Sequence, residues 1–332
     1  MVIALASKLS IQTFFLSTTA RGDYIMNVID ELLDKIDIIE LARKYTDLTP
    51  DHGGAYRGKC PIHHGHNESS FVVYPEGRYY CFSCHSFGNA IQLYSSITGE
   101  PFYQAVEKLC EEYEVSTNNK DFVKQKDTVG RNTRLAHRFH KQVGQVKDYL
   151  NKSRGLTDET IEEFNLGYDY GGFMGSYPGL IIPIQDQYGR IVGFSKRRLD
   201  EGKPKYRNSP DDGTFFKGRI LFNWHRAVKM ARDTGKLHLV EGYMDCIAAH
   251  QQGLACVAYM SSKPTKHQWQ LINKLHQRFR DIVLVLATDN PKIDLAGRQM
   301  LPRIREDALK FTMDMSICCP VYPKEPYEFH TV

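Results

Sequence analysis

From Val28 to Tyr45 the apolar residues Ile29, Leu32, Leu33, Ile36, Ile38, Ile39 and Leu41 recur at helical spacing, broken near Asp37. That pattern predicts two short helices. Gly53-Gly54 and Pro61 then punctuate a strand-and-loop segment, with Ser70–Tyr74 and Tyr79–Tyr80 as the arms of a hairpin. Gly88-Asn89 leads into a helix over Ala90–Thr98, and Phe102–Tyr113 predicts another. Ser116 to Gly130 is polar and charged with few large apolar residues, the composition of a linker. Helical spacing resumes near Leu135, on an element carrying Arg134, Arg138, Lys141 and Lys147. Leu156–Phe164 reads as a further helix, with Thr157 as its N-cap.

Gly179-Leu-Ile-Ile-Pro-Ile184 and Arg190-Ile-Val-Gly-Phe194 are strands joined by the turn Asp186-Gln-Tyr-Gly189, an antiparallel hairpin. After Gly235 strands alternate with helices: Leu237–Val240, Ala255–Tyr259, Ile282–Leu286 and Met315–Cys319 are the strands. Such alternation predicts a parallel sheet. In its first unit, Glu241-Gly242 ends the strand and the pattern turns helical at Tyr243, so Asp245 stands one helical turn beyond Glu241. Two carboxylates at a strand's carboxyl end put hard oxygen ligands where α/β sheets bind ligands, and Mg²⁺ prefers oxygen. Taken alone, a strand followed by a surface acid explains the stretch better. The rest of the chain decides.

Composition narrows the setting. A chain of 332 residues suits two or three domains, and 42% hydrophobic with 25% charged residues is ordinary for soluble proteins. The net charge of +4 excludes a strongly basic tail but not a local basic groove. Three of the eight cysteines share one short window and the others are scattered, which suits a metal site in a reducing compartment better than a disulfide framework. No run is apolar enough to span a membrane. Residues 1–25 resemble a poor signal peptide, and the expectation is a disordered extension or an upstream start.

Cys60-Pro-Ile-His63 and Cys81-Phe-Ser-Cys84 are two knuckles with seventeen residues between them, inside the ~15–20 typical of paired-knuckle zinc sites. His64 and His66 are nearby rivals, but His63 has the paired spacing. Three thiolates and an imidazole with no open position describe one structural Zn²⁺.

Tyr56-Arg-Gly-Lys-Cys-Pro-Ile-His63, Ser70-Phe-Val-Val73 and Tyr80-Cys-Phe-Ser-Cys-His-Ser-Phe-Gly-Asn89 resemble the zinc-binding domain of bacterial DnaG-type DNA primases. The resemblance implies recognition of a single-stranded DNA template. Tyr79, Tyr80, Phe82 and Phe87, with Arg57 and Lys59, suit base stacking and phosphate contact, or the aromatics form the small domain's core.

Between Asp186 and Arg219 nine basic residues face five acidic ones, a patch able to hold a phosphate backbone or a triphosphate by charge. A solvated basic face is the plain alternative. Gly189-Arg-Ile-Val-Gly-Phe194, Pro204-Lys-Tyr-Arg-Asn-Ser-Pro210 and Phe216-Lys-Gly-Arg-Ile-Leu-Phe222 are similar to the primase basic motif. That similarity makes Arg197 or Arg198, Lys205, Asn208 and Lys217 the candidates for template and nucleotide contact. Lys263, Lys266 and His267 open a later helix and are better read singly as a solvated helix start.

Leu239-Val-Glu-Gly-Tyr-Met-Asp245 resembles the first motif of the Toprim fold shared by these primases, type IA topoisomerases and some nucleases. The family's second motif is two acids with one residue between them, followed by Ala-Gly. Here Asp289 and Asp294 are five positions apart before Ala296-Gly297, so either Pro291–Ile293 loops out or Asn290 fills one role. Glu325 is the candidate for the third acidic place. On this reading Glu241, Asp245, Asp289, Asp294 and Glu325 hold Mg²⁺ or Mn²⁺, and Glu241, Asp289 and Asp294 are the catalytic acids. Paired cations lower the pKa of an attacking hydroxyl and stabilise a pyrophosphate leaving group. Carboxylates so crowded repel one another without them.

The expected fold class is α+β and α/β: a small zinc-ribbon β domain with helices, then a mixed α/β polymerase core ending in a Toprim parallel sheet. The expected division is an extension (1–25), a zinc-binding domain (26–115), a linker (116–134), a basic subdomain (135–234) and a Toprim subdomain (235–332). The resemblance implies a DNA primase that makes short RNA primers from ribonucleoside triphosphates on single-stranded DNA, in bacterial or phage-infected host cytoplasm. It also implies a replicative DNA helicase as partner, through another surface or in a compact phage-type arrangement. A Toprim nuclease or topoisomerase-like enzyme, and a zinc-dependent single-strand-binding protein with a decayed centre, are the alternatives.

Overall fold

A computed structural model describes residues 28–211, 214–287, 295–312 and 315–318. Helices α1 (Val28–Lys35) and α2 (Ile38–Arg43) meet at Asp37, whose carboxylate accepts from the backbone N–H groups of Ile39 and Glu40 and caps α2. Strands β1 (Leu48–Pro50), β2 (Tyr56–Gly58), β3 (Phe71–Tyr74), β4 (Arg78–Cys81) and β5 (Phe87–Asn89) form one antiparallel meander in that order. Asn89 and Gln92 make a reciprocal cap that starts α3 (Ala90–Thr98), and α4 (Phe102–Glu112) follows. Leu32, Leu41, Phe71, Val73, Tyr79, Ile91 and Leu109 are the core of this unit.

The polar stretch expected as a linker over 116–134 is helical from Lys120: α5 runs Lys120–His140 with Asn119 as its N-cap. The reason is sparse but well spaced burial. Phe122 sits in the core of the zinc-knuckle unit, whereas Ala136 and Phe139 pack on Ile181, Ile191 and Phe194 of the next sheet. So α5 ties the two units together along one helix.

After α6 (Asp158–Glu163), capped by Thr157, strands β6 (Gly167–Asp169), β7 (Gly179–Gln185), β8 (Ile191–Arg198) and β9 (Tyr206–Asn208) form a second antiparallel sheet in chain order. Leu180, Ile182 and Ile184 enter one core and Ile181 another, so β7 is apolar throughout instead of alternating.

Helix α7 (Trp224–Thr234) leads into β10 (Lys236–Val240), α8 (Tyr243–Gln251), β11 (Cys256–Ala258), α9 (Lys266–Arg278), β12 (Val283–Leu286), α10 (Leu295–Phe311) and β13 (Ile317–Cys318). The four strands form a parallel sheet in the order β11-β10-β12-β13, which places β10 between two neighbours. Among the described residues, no helix is long and apolar enough to cross a membrane.

Candidate zinc centre and nucleotide-handling groove

The two knuckles sit where strands turn, and the hairpin β3–β4 closes them on each other. Cys60, His63, Cys81 and Cys84 present ligand atoms that all lie within 4.8 Å of one another. Cys60 Sγ is 3.9 Å from Cys84 Sγ, and His63 Nδ1 is 3.7 Å from Cys81 Sγ. Zinc–sulfur bonds of ~2.3 Å at a tetrahedral angle require sulfurs about 3.8 Å apart, so the donors fit that ion. A Cβ at Gly65 would stand 2.2 Å from His63 Nε2, so glycine there lets the ring lie flat with Nδ1 toward the thiols. Burial pushes the Cys60 thiol up to about 12 and raises Cys84 as well. At Cys81 burial pushes upward too, but hydrogen bonds from the backbone N–H groups of Cys84 and Ser83 and from the Cys84 and Cys60 side chains together hold the thiol below its ordinary value. His64 and His66 are outside the cluster.

The aromatics beside the knuckles divide. Tyr79 is buried against Phe71, and Tyr80 is buried with the Arg232 guanidinium over its ring. Phe82 is 54% exposed, with the Arg57 guanidinium 5.5 Å from its ring centre. Of the four, Phe82 is the ring left open for stacking.

On β8 the run Lys196-Arg197-Arg198 is split by strand alternation, because neighbouring side chains point to opposite faces. Lys196 is fully buried: its ammonium pairs with Asp169 and donates to the carbonyl oxygens of Phe173 and Gly175. Arg198 is held by Asp200 at 2.6 and 2.8 Å. Arg197 turns the other way, bonds the Tyr206 hydroxyl, and lies 5.1 Å from the Tyr206 ring centre and 5.8 Å from that of Tyr149. Its Nε is buried with no hydrogen-bond partner among the described residues. Lys205 is exposed at the start of β9, and Lys217 lies in a short turn that packs against the start of α9.

The acidic edge meets this face. Glu241 and Asp245 are both exposed at the carboxyl end of β10, and a Cβ at Gly242 would stand 2.5 Å from Asp245 Oδ2. Gly242 therefore lets the Asp245 carboxylate fold back toward the strand end. Burial raises the Tyr206 phenol above its ordinary range, against the opposing pull of the Arg197 charge and hydrogen bond. Tyr243, the first residue of α8, donates from its hydroxyl to Asn208 Oδ1 at 2.6 Å. Ala287, the last residue described before Asp289, donates to the Leu239 carbonyl at 3.0 Å. Asp289, Asn290, Asp294 and Glu325 lie outside the described residues.

Tyr206, Tyr149 and Tyr243 were not among the sequence candidates. The available signal was spacing: Tyr206 and Asn208 are two apart on a strand and share a face.

Three family models match this chain in order: a CHC2 zinc finger over residues 24–125, the N-terminal domain of the DNA primase catalytic core over 177–228, and a Toprim-like domain over 238–329. The chain belongs to the DnaG-type primase family. Similar family members include the DNA primase of Thermotoga maritima, 29% identical over 343 residues that cover 91% of this chain and 58% of that protein. That of Geobacillus stearothermophilus is 33% identical over 288 residues, covering 71% and 48%. The crystal structure of the Aquifex aeolicus primase zinc-binding and RNA polymerase domains matches with a TM-score of 0.51 at 26% identity, over 91% of this chain and 80% of that one. The chain spans about half the length of the curated relatives it matches.

Within that family framework the donors at Cys60, His63, Cys81 and Cys84 suit zinc, and a Toprim-like domain implies a divalent metal.

Proposed function

We propose that the chain is a DNA primase, a nucleotidyltransferase that builds short RNA primers from ribonucleoside triphosphates on single-stranded DNA. The observation that carries this reading is the Tyr243–Asn208 hydrogen bond, which joins the helix that follows Glu241 and carries Asp245 to the sheet that carries Arg197.

In the reaction a 3′-hydroxyl attacks the α-phosphate of the incoming nucleotide. An O–P bond forms, the bond to pyrophosphate breaks, and the hydroxyl proton leaves to a nearby base. Glu241 is the candidate acceptor, and with Asp245, Asp289, Asp294 and Glu325 it would hold Mg²⁺ or Mn²⁺. Bound there, the cations supply Lewis acidity toward the hydroxyl and the leaving group. Arg197, Asn208 and the neighbouring Lys205 and Lys217 bind phosphoryl oxygens and orient them, the preorganised electrostatics that dominate such transfers. The zinc-binding unit presents Phe82 and Arg57 to template bases and phosphates. A replicative helicase is the partner that family membership suggests. The domain boundaries 26–115, 116–134, 135–234 and 235–332 are the proposed division of labour, with 116–134 a helical connection.

The test is synthesis from labelled ribonucleotides on single-stranded DNA, with and without Mg²⁺ or Mn²⁺. Oligoribonucleotides that need both template and cation support the proposal. Cleavage of the DNA favours the Toprim nuclease, and zinc-dependent binding without synthesis favours a decayed single-strand-binding protein.

A further inference from the structure

Tyr243 is buried to 3% exposure, and its ring packs 5.6 Å from that of Tyr206 and 5.1 Å from that of Phe222. It is the first residue of the helix that carries Asp245, yet its hydroxyl reaches Asn208 at the end of β9. Asn208 pairs with Ser195 and Tyr206 with Arg197 in the β8–β9 register, so Tyr206 and Asn208 present their side chains to the same side. A carboxamide has one acceptor oxygen and two N–H donors. Here the oxygen is already committed to Tyr243, and Nδ2 has no partner among the described residues.

We propose that Tyr243 is a positioning residue that fixes the amide of Asn208, so that its two N–H donors face the groove and take a phosphoryl oxygen. The inference rests on the nucleotidyl-transfer reading above and assigns Tyr243 a part in it that neither the acids nor the basic strand performs alone. A free carboxamide samples both orientations, and one of them turns its oxygen, an acceptor with partial negative charge, toward the phosphate. In the structure the phenol donates to Asn208 Oδ1, and burial, which pushes its own pKa above the ordinary value, keeps that proton on the hydroxyl. The strut also joins the strand that carries the cations to the helix that carries Asp245, so the two halves of the site keep one spacing.

The experiment compares wild type, Tyr243→Phe, Asn208→Ala and the double variant. It reads KM for ribonucleotide and for template, kcat, and anisotropy of a fluorescent ribonucleoside triphosphate analogue. Losing one oriented donor predicts about a tenfold loss of affinity, with a double variant no worse than Asn208→Ala. The arm that moves, nucleotide or template, names the source of the phosphoryl oxygen. Additive effects, or affinity unchanged on both arms, overturn the proposal. Should Tyr243→Phe fail to fold, Asn208→Asp keeps the acceptor and removes the donors: weakened binding at an unchanged Tm supports the assignment, and unweakened binding overturns it. Weakened analogue binding in a protein whose wild type synthesises nothing sinks the polymerase reading and leaves the strut. Synthesis by wild type with equal affinities in all variants does the reverse.

Discussion

Arg190 Nη1 donates to the Tyr103 hydroxyl at 3.0 Å and so joins the β7–β8 hairpin to helix α4 of the zinc-knuckle unit. The guanidinium is largely enclosed, paired with Asp186 at 2.6 Å, and ringed by Phe102, Tyr103 and Tyr188 at 4.7 to 5.2 Å. Removing one partner of a buried pair leaves the other charge desolvated and costs on the order of 3–5 kcal/mol. Arg190→Ala is therefore expected to lower the thermal midpoint and to speed proteolysis between residues 113 and 119. A midpoint and cleavage rate matching wild type would show that this contact does not hold the units together.

Lys196 gives a second prediction, because composition alone counts it with the template-binding bases. It is fully buried on Asp169, so Lys196→Met is expected to destabilise the protein by roughly 3–5 kcal/mol. Arg198→Ala, at a surface pair, is expected to leave stability close to that of wild type. Denaturant titrations of the two variants check this, and similar losses in both contradict the assignment of Lys196 to the core.

These residues also mark how far the sequence could be read. The two knuckles, the β7–β8 hairpin and the β10 edge were legible because tight spacing, turn residues and strand periodicity are local signals. Three features were not. A polar stretch became α5 because Phe122 and Phe139 lie far apart in sequence and bury in different cores. Lys196 left the basic face because its partner Asp169 is 27 residues away. The Tyr243–Asn208 bond spans 35 residues, and no periodicity reports such a contact. The unusual step from Asp289 to Asp294 lies outside the described residues.

Chelation supplies the third prediction. The zinc donors sit on the core of the small unit, with Cys60 and Cys81 buried, and structural zinc contributes to folding directly. A strong chelator, or Cys84→Ser, is expected to remove one zinc per chain and to abolish the unit's thermal transition. Full zinc content in Cys84→Ser contradicts the ligand set.

Acid stability is the fourth. Burial, helped by the Arg226 charge, lowers the His225 pKa to about 3, whereas an unfolded histidine takes up its proton near ~6.5. The stabilisation is complete above pH ~6.5 and is lost as pH falls toward 3, because the unfolded chain binds a proton that the fold excludes. The slope approaches about 1.4 kcal/mol per pH unit. His225→Gln should flatten the pH dependence between pH 6 and 5 by about 1 kcal/mol per unit, and equal slopes contradict this.

The central claim is that the carboxyl end of β10 is where a nucleotide is joined to a primer. The most direct measurement is template-dependent incorporation of labelled ribonucleotide by wild type and by Glu241→Gln, at matched zinc content and matched thermal midpoint. Removing one metal-holding acid is expected to lower incorporation at least a hundredfold while single-stranded DNA binding stays within twofold of wild type. Undiminished synthesis by Glu241→Gln would contradict the account.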